Sequence, residues 1–228
     1  MTMRAEFKLS CVLFDLDGTL VDTAPDLIAC LNDALLYHGF ASVSADRVRP
    51  FISHGASAMV AASCGDAVDE ATRKVLVTTM LDLYQQNIAQ HTVYFDGMPQ
   101  LLEAIEAQGL KWGVVTNKLT RFTEPLMRAL DLTRRAACIV SGDTTGKSKP
   151  HPEPMFEGCR QAGVEAHECV YIGDASHDIA AGKSAGMKTL AALYGYLKPE
   201  DTPETWGADA LIEHPSQIDT WIKTTLCN

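Results

Sequence analysis

The sequence predicts an α/β protein with a doubly wound parallel sheet and a helical domain inserted after the first strand. The run CVLF at 11–14 is short and wholly apolar, which is typical of a strand buried on both faces of a parallel sheet. Residues 22–91 then show helical periodicity without a convincing strand. After Gly97, short apolar runs alternate with helical segments, which indicates right-handed crossovers with helices on both faces of one sheet.

The inserted segment reads as a series of helices. The first begins at Thr23 or Ala24, has Pro25 in its first turn and ends at Gly39, a glycine stop. The further helices are predicted at 45–52, 57–63 and 67–89.

Two domains follow from this order of elements. We expect a helical domain at 21–92 and an α/β core at 1–20 and 93–228. The chain has no long Gly/Ser linker, so short hinges near 20–23 and 92–97 are expected to join the two.

The core segment alternates between strands and helices. The predicted strands lie at 112–116, 138–141, 169–173, 189–193 and 210–212. The predicted helices lie at 99–108, 123–130, 154–162 and 178–185, with a last helix after the final strand.

Composition and charge restrict the class of protein. The chain has 228 residues, 46% of them hydrophobic, which is enough for a sizeable core. No apolar run reaches the roughly 18 residues of a membrane span and the first ten residues lack a signal-peptide pattern, so we expect a cytoplasmic protein. A formal net charge of −10 argues against nucleic acid and membrane surfaces as partners. The sequence carries no signal for an oligomeric state.

The cysteines are scattered and form no CxxC pair, which favours buried thiols over disulfides or a zinc site. They are Cys11, Cys30, Cys64, Cys138, Cys159, Cys169 and Cys227.

Polar residues stand at the end of four of the predicted strands or in the segment that follows. They are Asp15 and Asp17 after the first, Thr116 and Asn117 after the second, Lys149 after the third, and Asp174 and Asp178 after the fourth. Because ligands of doubly wound sheets bind beyond the carboxyl ends of the strands, we expect these side chains to form one site.

The aspartates of this set predict a magnesium site. Asp15 and Asp17 are two residues apart, so in an extended chain their carboxylates would project to one side and repel each other without a cation. Mg²⁺ prefers hard oxygen ligands and commonly joins one or two carboxylates to a phosphate, which suits Asp15 and Asp174. No histidine cluster competes for a metal.

The same residues suit phosphoester hydrolysis. A carboxylate such as Asp15 can act as nucleophile, while a second acid such as Asp17 protonates the leaving oxygen and then activates water. Backbone N–H groups near Leu16 and Asn117 could form a nest for phosphoryl oxygens, and Lys149 would add a fixed positive charge.

Four segments resemble the four motifs of the haloacid dehalogenase superfamily. They occur in the same order as in that superfamily and extend across nearly the whole chain. They are DLDGTLVDT at 15–23, VVTNK at 114–118, Lys149 in SKP, and GDASHD at 173–178. The resemblance implies a Rossmann-like core in which Asp15 is the nucleophile and a metal ligand. It also implies that Asp17 is the general acid/base and offers its main-chain carbonyl to Mg²⁺, and that Asp174 completes the metal site.

The resemblance implies roles for further residues. Thr116 and Asn117 would hydrogen-bond the phosphoryl group, Lys149 would neutralise it, and Asp178 would lie just behind the metal ligands.

The helical insertion is similar to the cap of phosphoglycolate phosphatases, which closes over the site and selects the substrate. Ser53, His54 and Gly55 form a polar break between the predicted cap helices, and they are the candidates for its substrate-facing loop.

Three further segments, RFTEPLMRAL, SKPHPEP and YGYLKPEDTPETWGAD, are similar to phosphoglycolate phosphatases and more closely to bacterial N-acetylmuramic acid 6-phosphate phosphatases. The expected activity is Mg²⁺-dependent hydrolysis of a small phosphorylated metabolite. Its substrate would be 2-phosphoglycolate or N-acetylmuramic acid 6-phosphate, the latter placing it in cell-wall sugar recycling. A sugar phosphomutase of the same superfamily needs the same residues and stays an alternative.

Simpler interpretations exist for some of these residues. Asp178 would stabilise a first helical turn even in an inert protein, and Asp22 is more typical of a cap or hinge. Lys118 and Arg121 are interpreted as surface charges. His54 is equally compatible with a structural and a substrate-binding role.

Overall fold

The computed structural model describes residues 7–65 and 68–226. Cys227 and residue 67, the first of a predicted helix, lie outside the described residues. The strands are β1 (Cys11–Phe14), β2 (Val21–Asp22), β3 (Val93–Tyr94), β4 (Lys111–Val115), β5 (Ile139–Val140), β6 (Cys169–Gly173), β7 (Lys188–Ala192) and β8 (Ala210–Ile212). The helices are α1 (Ala24–Tyr37), α2 (Ala45–Val48), α3 (Ala56–Cys64), α4 (Glu70–Gln86), α5 (Met98–Ala107), α6 (Thr120–Ala129), α7 (Glu153–Ala162), α8 (Ser176–Ser184) and α9 (Pro215–Leu226).

A parallel sheet forms the core. Within the described residues it has six strands in the order β5-β4-β1-β6-β7-β8. β1 lies between β4 and β6, and all four of its residues are buried because helices cover both faces of the sheet. The chain builds the sheet outward from β1 on both sides, so the ligand crevice is expected at its carboxyl end. The predicted fold class, with its helical insertion, is confirmed.

The insertion contains α1 to α4, whose apolar side chains form a cluster that also takes in Phe122 and Tyr196 of the core. Leu31 and Leu35 of α1 pack with Val60 of α3 and with Leu76 and Met80 of α4. This cluster explains why the segment folds as helices, since each one buries an apolar face against the others.

β2 and β3 pair as an antiparallel ribbon at the two predicted hinges, where no strand was predicted. Asp26 of α1 reinforces this connection. Its carboxylate accepts hydrogen bonds from the backbone N–H of His91 (2.8 Å) and of Thr92 (3.0 Å), and from the Thr92 hydroxyl (2.6 Å). The exact boundaries at 21–92 stay a prediction.

The prediction of a single helix at 45–52 is wrong. Helix α2 ends at Val48, and a 3₁₀ helix, Arg49–His54, follows. Pro50 has no N–H to donate to the carbonyl one turn earlier, which disfavours continuation of the α-helix.

Helix α6 begins at Thr120, three residues before the predicted start. The side chain of Asp143 accepts hydrogen bonds from the N–H (2.8 Å) and hydroxyl (2.5 Å) of Thr120 and so stabilises the first turn from another segment.

The cysteines of the described residues are free thiols, as predicted, and all but the partly exposed Cys64 are buried. No described helix has both the length and the apolar composition needed to cross a bilayer.

Candidate active site

The site is built around Lys149, whose side chain is fully buried at the carboxyl end of the sheet. Its ammonium donates to Oδ1 of Asp15 (2.8 Å) and Oδ1 of Asp178 (2.7 Å), and also to the Val115 carbonyl (3.1 Å) and the Tyr171 hydroxyl (2.9 Å). Burial alone favours the neutral amine, but the two carboxylates hold the pKa of Lys149 above its ordinary value. Lys149 is therefore a fixed positive charge.

Asp15 directly follows β1, and its N–H continues the sheet by donating to the Ile172 carbonyl (2.8 Å). Burial raises the pKa of Asp15, an effect that Lys149 opposes and Asp178 reinforces. Burial alone would also raise the pKa of Asp178, but Lys149 holds the pKa of this carboxyl below its usual range. Asp178 also caps its helix as expected, because its Oδ2 accepts from the N–H of Ala175 (3.1 Å).

Asp174 follows β6 and lies beside these groups. Its Oδ2 accepts from the Ser53 hydroxyl (2.8 Å) and from the N–H of Tyr196 (2.8 Å). Its Oδ1 is buried and has no hydrogen-bond partner among the described residues. Burial raises the pKa of Asp174 well above its ordinary value, reinforced by Asp178 and Asp15.

Two glycines let the backbone approach Asp174. A Cβ on Gly18, whose φ is +82°, would lie 2.2 Å from Oδ2 of Asp174. A Cβ on Gly195 would lie 2.2 Å from the Cβ of Asp174. Any larger residue at either position would displace this carboxylate.

These residues fit a divalent cation. Carboxylate oxygens of Asp15, Asp174 and Asp178 lie within 4.8 Å of one another. When all three carboxylates are ionised, Lys149 compensates one negative charge and two remain. One divalent cation would compensate those two. Both oxygens of Asp178 are already engaged, whereas Oδ1 of Asp174 has no partner among the described residues, so Asp15 and Asp174 are the better ligands.

Asp17 lies in the same cavity as Asp15 but is paired elsewhere. The chain turns at Leu16, so the extended conformation assumed for the two aspartates does not persist. Asp17 accepts from the Thr23 hydroxyl (2.6 Å) and from the ammonium of Lys118. The interpretation of Lys118 as a surface charge is wrong, since its side chain is only 6% exposed. Arg121 is exposed as expected.

Thr116 and Asn117 also line the cavity, and both order the loop after β4. The Asn117 amide donates to the carbonyl of Lys149 (3.1 Å) and accepts from its N–H (3.0 Å). The Thr116 hydroxyl accepts from the N–H of Lys118 (3.2 Å). The segment that carries Lys149 is thereby tied to the loop after β4.

The cavity has a volume of about 570 Å³ and lies between the end of the sheet and the helical insertion. Ser53, His54 and Gly55 all line it, and their role as a substrate-facing loop stays a prediction. His177 lies across from His54, with ring centroids 6.4 Å apart. Burial lowers the pKa of His54, and Lys198 and His177 lower it further. The remaining wall on the insertion side is mostly apolar, with Leu27, Ile52, Met59, Val77 and Leu81.

Comparison with known proteins identifies the family. The family model described as haloacid dehalogenase-like hydrolase matches residues 12–192. The chain belongs to this family. An N-acetylmuramic acid 6-phosphate phosphatase of Pseudomonas aeruginosa is 45% identical over 221 residues, 97% of this chain and 98% of the relative. A phosphoglycolate phosphatase of Xanthomonas campestris pv. campestris is 40% identical over 207 residues, 91% of this chain and 93% of the relative.

A solved structure supports the same assignment. The crystal structure of a predicted phosphoglycolate phosphatase from Haemophilus somnus 129pt superposes with a TM-score of 0.83 at 28% identity, covering 96% of this chain and 99% of that one. The expected superfamily is confirmed, and this haloacid dehalogenase-like hydrolase is a phosphatase.

Three residues of this hydrolase site were missed by sequence reasoning. Lys118 pairs with Asp17, Tyr171 donates its hydroxyl to the Val115 carbonyl (2.6 Å), and Tyr196 donates its N–H to Asp174. Tyr171 carried a usable signal, because a tyrosine inside a buried apolar strand needs a partner for its hydroxyl.

Asp22, predicted as a cap or hinge residue, accepts a hydrogen bond from the N–H of Ala24 (3.1 Å) at the start of α1.

Proposed function

We propose that this phosphatase hydrolyses a small phosphomonoester in the cytoplasm through a phosphoaspartate on Asp15, with Mg²⁺ as cofactor. The observation that carries the proposal is the buried group of Asp15, Lys149, Asp178 and Asp174. It holds three carboxylates but one ammonium, which pairs with Asp15 and Asp178, and one buried oxygen of Asp174 has no partner among the described residues. Such an excess of negative charge is costly to bury unless a cation compensates it.

Asp15, Asp174 and the main-chain carbonyl of Asp17 would hold Mg²⁺. When bound, this ion offsets negative charge on the phosphate and on the nucleophile. All of these ligands are hard oxygens, which suits Mg²⁺ better than zinc.

Asp15 attacks phosphorus, and Lys149 keeps the nucleophile in place and offsets charge in the transition state. Asp17 protonates the leaving oxygen. Water then attacks the phosphoaspartate, and Asp17 takes up its proton. Thr116 and Asn117 lie where they can hydrogen-bond the phosphoryl oxygens, and Asp178 orients Lys149.

The helical segment at 21–92 acts as a cap over a core of 1–20 and 93–228, and its walls select the substrate. We propose N-acetylmuramic acid 6-phosphate rather than 2-phosphoglycolate. A cavity of about 570 Å³ exceeds what the small glycolate ester would fill, and the apolar wall suits the methyl groups of an acetylated, lactylated sugar.

A panel of phosphomonoesters tests the substrate proposal. Phosphate release with Mg²⁺ is compared by kcat/KM for N-acetylmuramic acid 6-phosphate, 2-phosphoglycolate, glucosamine 6-phosphate and β-glucose 1-phosphate. The muramic ester should be preferred. Preference for 2-phosphoglycolate would contradict the cavity argument, and release from none would direct the search to mutase activity.

Asp15→Asn tests the mechanism. Turnover should vanish while the melting temperature stays near that of the wild type, and chelation of Mg²⁺ should abolish turnover reversibly. Asp96→Asn, at a fully exposed carboxylate, is the matched control and should remain active. Retained activity in Asp15→Asn or in chelator would overturn the phosphoaspartate mechanism.

His54→Ala tests the specificity loop. We expect a larger loss of kcat/KM with the preferred sugar ester than with p-nitrophenyl phosphate, whose ring makes few cap contacts. His54 is more informative than Ser53, because the Ser53 hydroxyl also holds Asp174. Equal losses on both esters would remove His54 from substrate selection.

A further inference from the structure

Lys118 belongs to the cavity but not to the charge cluster around Lys149. It follows β4 by three residues, and its side chain is 6% exposed. Its ammonium lies 3.0 Å from Oδ1 and 3.1 Å from Oδ2 of Asp17. Burying the charge of Lys118 would be costly without an opposite charge, and Asp17, which also lines the cavity, supplies it.

The contacts of Lys118 hold its ammonium against Asp17. An ammonium carries three N–H donors. Two of them meet the oxygens of Asp17, and the ring of Tyr84 lies 4.5 Å from the nitrogen on another side. Tyr84 is 1% exposed and belongs to α4 of the insertion, so core and insertion together hold the ammonium on Asp17.

The hydrogen bonds that Asp17 accepts leave one of its oxygens able to accept a further hydrogen bond. A carboxylate offers about four lone-pair sites, two on each oxygen. Oδ1 accepts from Thr23 (2.6 Å) and Lys118, whereas Oδ2 accepts from Lys118 alone among the described residues. One site on Oδ2 therefore remains for a water molecule.

We propose that Lys118 is a positioning residue that holds Asp17 as a proton acceptor, with Oδ2 as the accepting atom, for hydrolysis of the phosphoaspartate. In that step the water oxygen bonds to phosphorus, the bond from phosphorus to the Asp15 carboxylate breaks, and the water proton passes to Oδ2 of Asp17. Inorganic phosphate leaves and Asp15 regains its charge. The inference rests on the proposed phosphoaspartate mechanism.

Lys118→Met tests this with p-nitrophenyl phosphate, whose good leaving group makes formation of the phosphoenzyme fast. We expect kcat to fall by about 10- to 100-fold, part of the contribution of a positioned acid/base group. kcat/KM should stay within about threefold, because it reports only the steps up to phosphoenzyme formation, so KM should fall with kcat. Acid quenching with ³²P-labelled ester should show the phosphoenzyme accumulating.

Three further variants make the result specific. Lys111→Met removes a lysine from the start of the same strand, where it donates to the Ala162 carbonyl (2.6 Å), and should leave kcat unchanged. Lys118→Arg should recover part of the lost kcat, because a cation again faces Asp17. Lys118→Gln, which keeps two donors, should also retain more kcat than Lys118→Met and serves if the latter does not fold.

The inference is overturned if Lys118→Met, or Lys118→Gln in its place, lowers kcat/KM as much as kcat, or if no phosphoenzyme accumulates. The first result would mean that Lys118 serves substrate binding or the first step. Failure of the proposed function is a separate observation, since the wild-type protein would then form no phosphoenzyme with any ester.

Discussion

Replacement of Gly18 by alanine tests how closely the backbone must approach Asp174. The added Cβ would lie 2.2 Å from Oδ2 of Asp174 and 2.8 Å from Cδ2 of Tyr196, where ordinary contact begins near 3.4 Å. Asp174 must therefore move by roughly 1 Å, and a misplacement of that size in an active site costs on the order of 100-fold in rate.

The same substitution should reduce stability. Gly18 has a φ of +82°, and an L-residue in left-handed conformation costs about 1–2 kcal/mol. Weakening the hydrogen bonds that Ser53 and Tyr196 donate to Asp174 adds about 1–2 kcal/mol. We expect a loss of about 3 kcal/mol in the free energy of unfolding.

Two measurements check this prediction. The first is kcat as a function of Mg²⁺ concentration, which should show a lower maximum and a higher half-saturating concentration. The second is urea unfolding. Gly39→Ala is the control, because Gly39 has a similar φ of +80° but no atom within 4 Å of the new Cβ, so it should lose about 1 kcal/mol and no activity. If Gly18→Ala behaves like Gly39→Ala, the steric argument is refuted.

Two other predictions concern stability and thiol chemistry. Asp26→Ala should lower the free energy of unfolding by about 3 kcal/mol, because it leaves the buried N–H and hydroxyl of Thr92 without their acceptor. Urea unfolding measures this loss, and an unchanged midpoint would contradict the prediction. Burial raises the pKa of Cys138 to about 12, so at about pH 8 only on the order of one thiol in 10⁴ is ionised. Among the cysteines of the described residues, iodoacetamide should therefore label the partly exposed Cys64 first in the native protein and Cys138 only after unfolding, as followed by mass spectrometry; early labelling of Cys138 would show that its surroundings are open.

Local patterns predicted most of the fold. The bounds of β1, β6 and β8 agree with the predicted residues, because each is a short apolar run between polar segments. The two-residue strands β2 and β3 were not predicted, since a ribbon this short has no period of its own and exists only through pairing across the insertion.

The site was predictable to the extent that its residues follow strands. Asp15 and Asp174 were proposed because parallel strands end at one edge, Lys149 because of the order of the motifs, and Ser53, His54 and Gly55 because a polar break interrupts the helices; of these, Asp15, Lys149 and the three loop residues line the cavity. The prediction that the carboxylates of Asp15 and Asp17 project to one side assumed an extended chain, and the turn at Leu16 removes that assumption.

The sequence by itself determined the α/β class, the helical insertion and the family, because periodicity and motif order are properties of neighbouring residues. Only the tertiary structure decided which partner each charge receives. Lys118 and Asp17 are 101 residues apart in the chain, and Ser53 and Asp174 are 121 apart. Such pairs form because folding removes these groups from water, and a buried charge or donor then takes whichever partner the packed chain brings within about 3 Å.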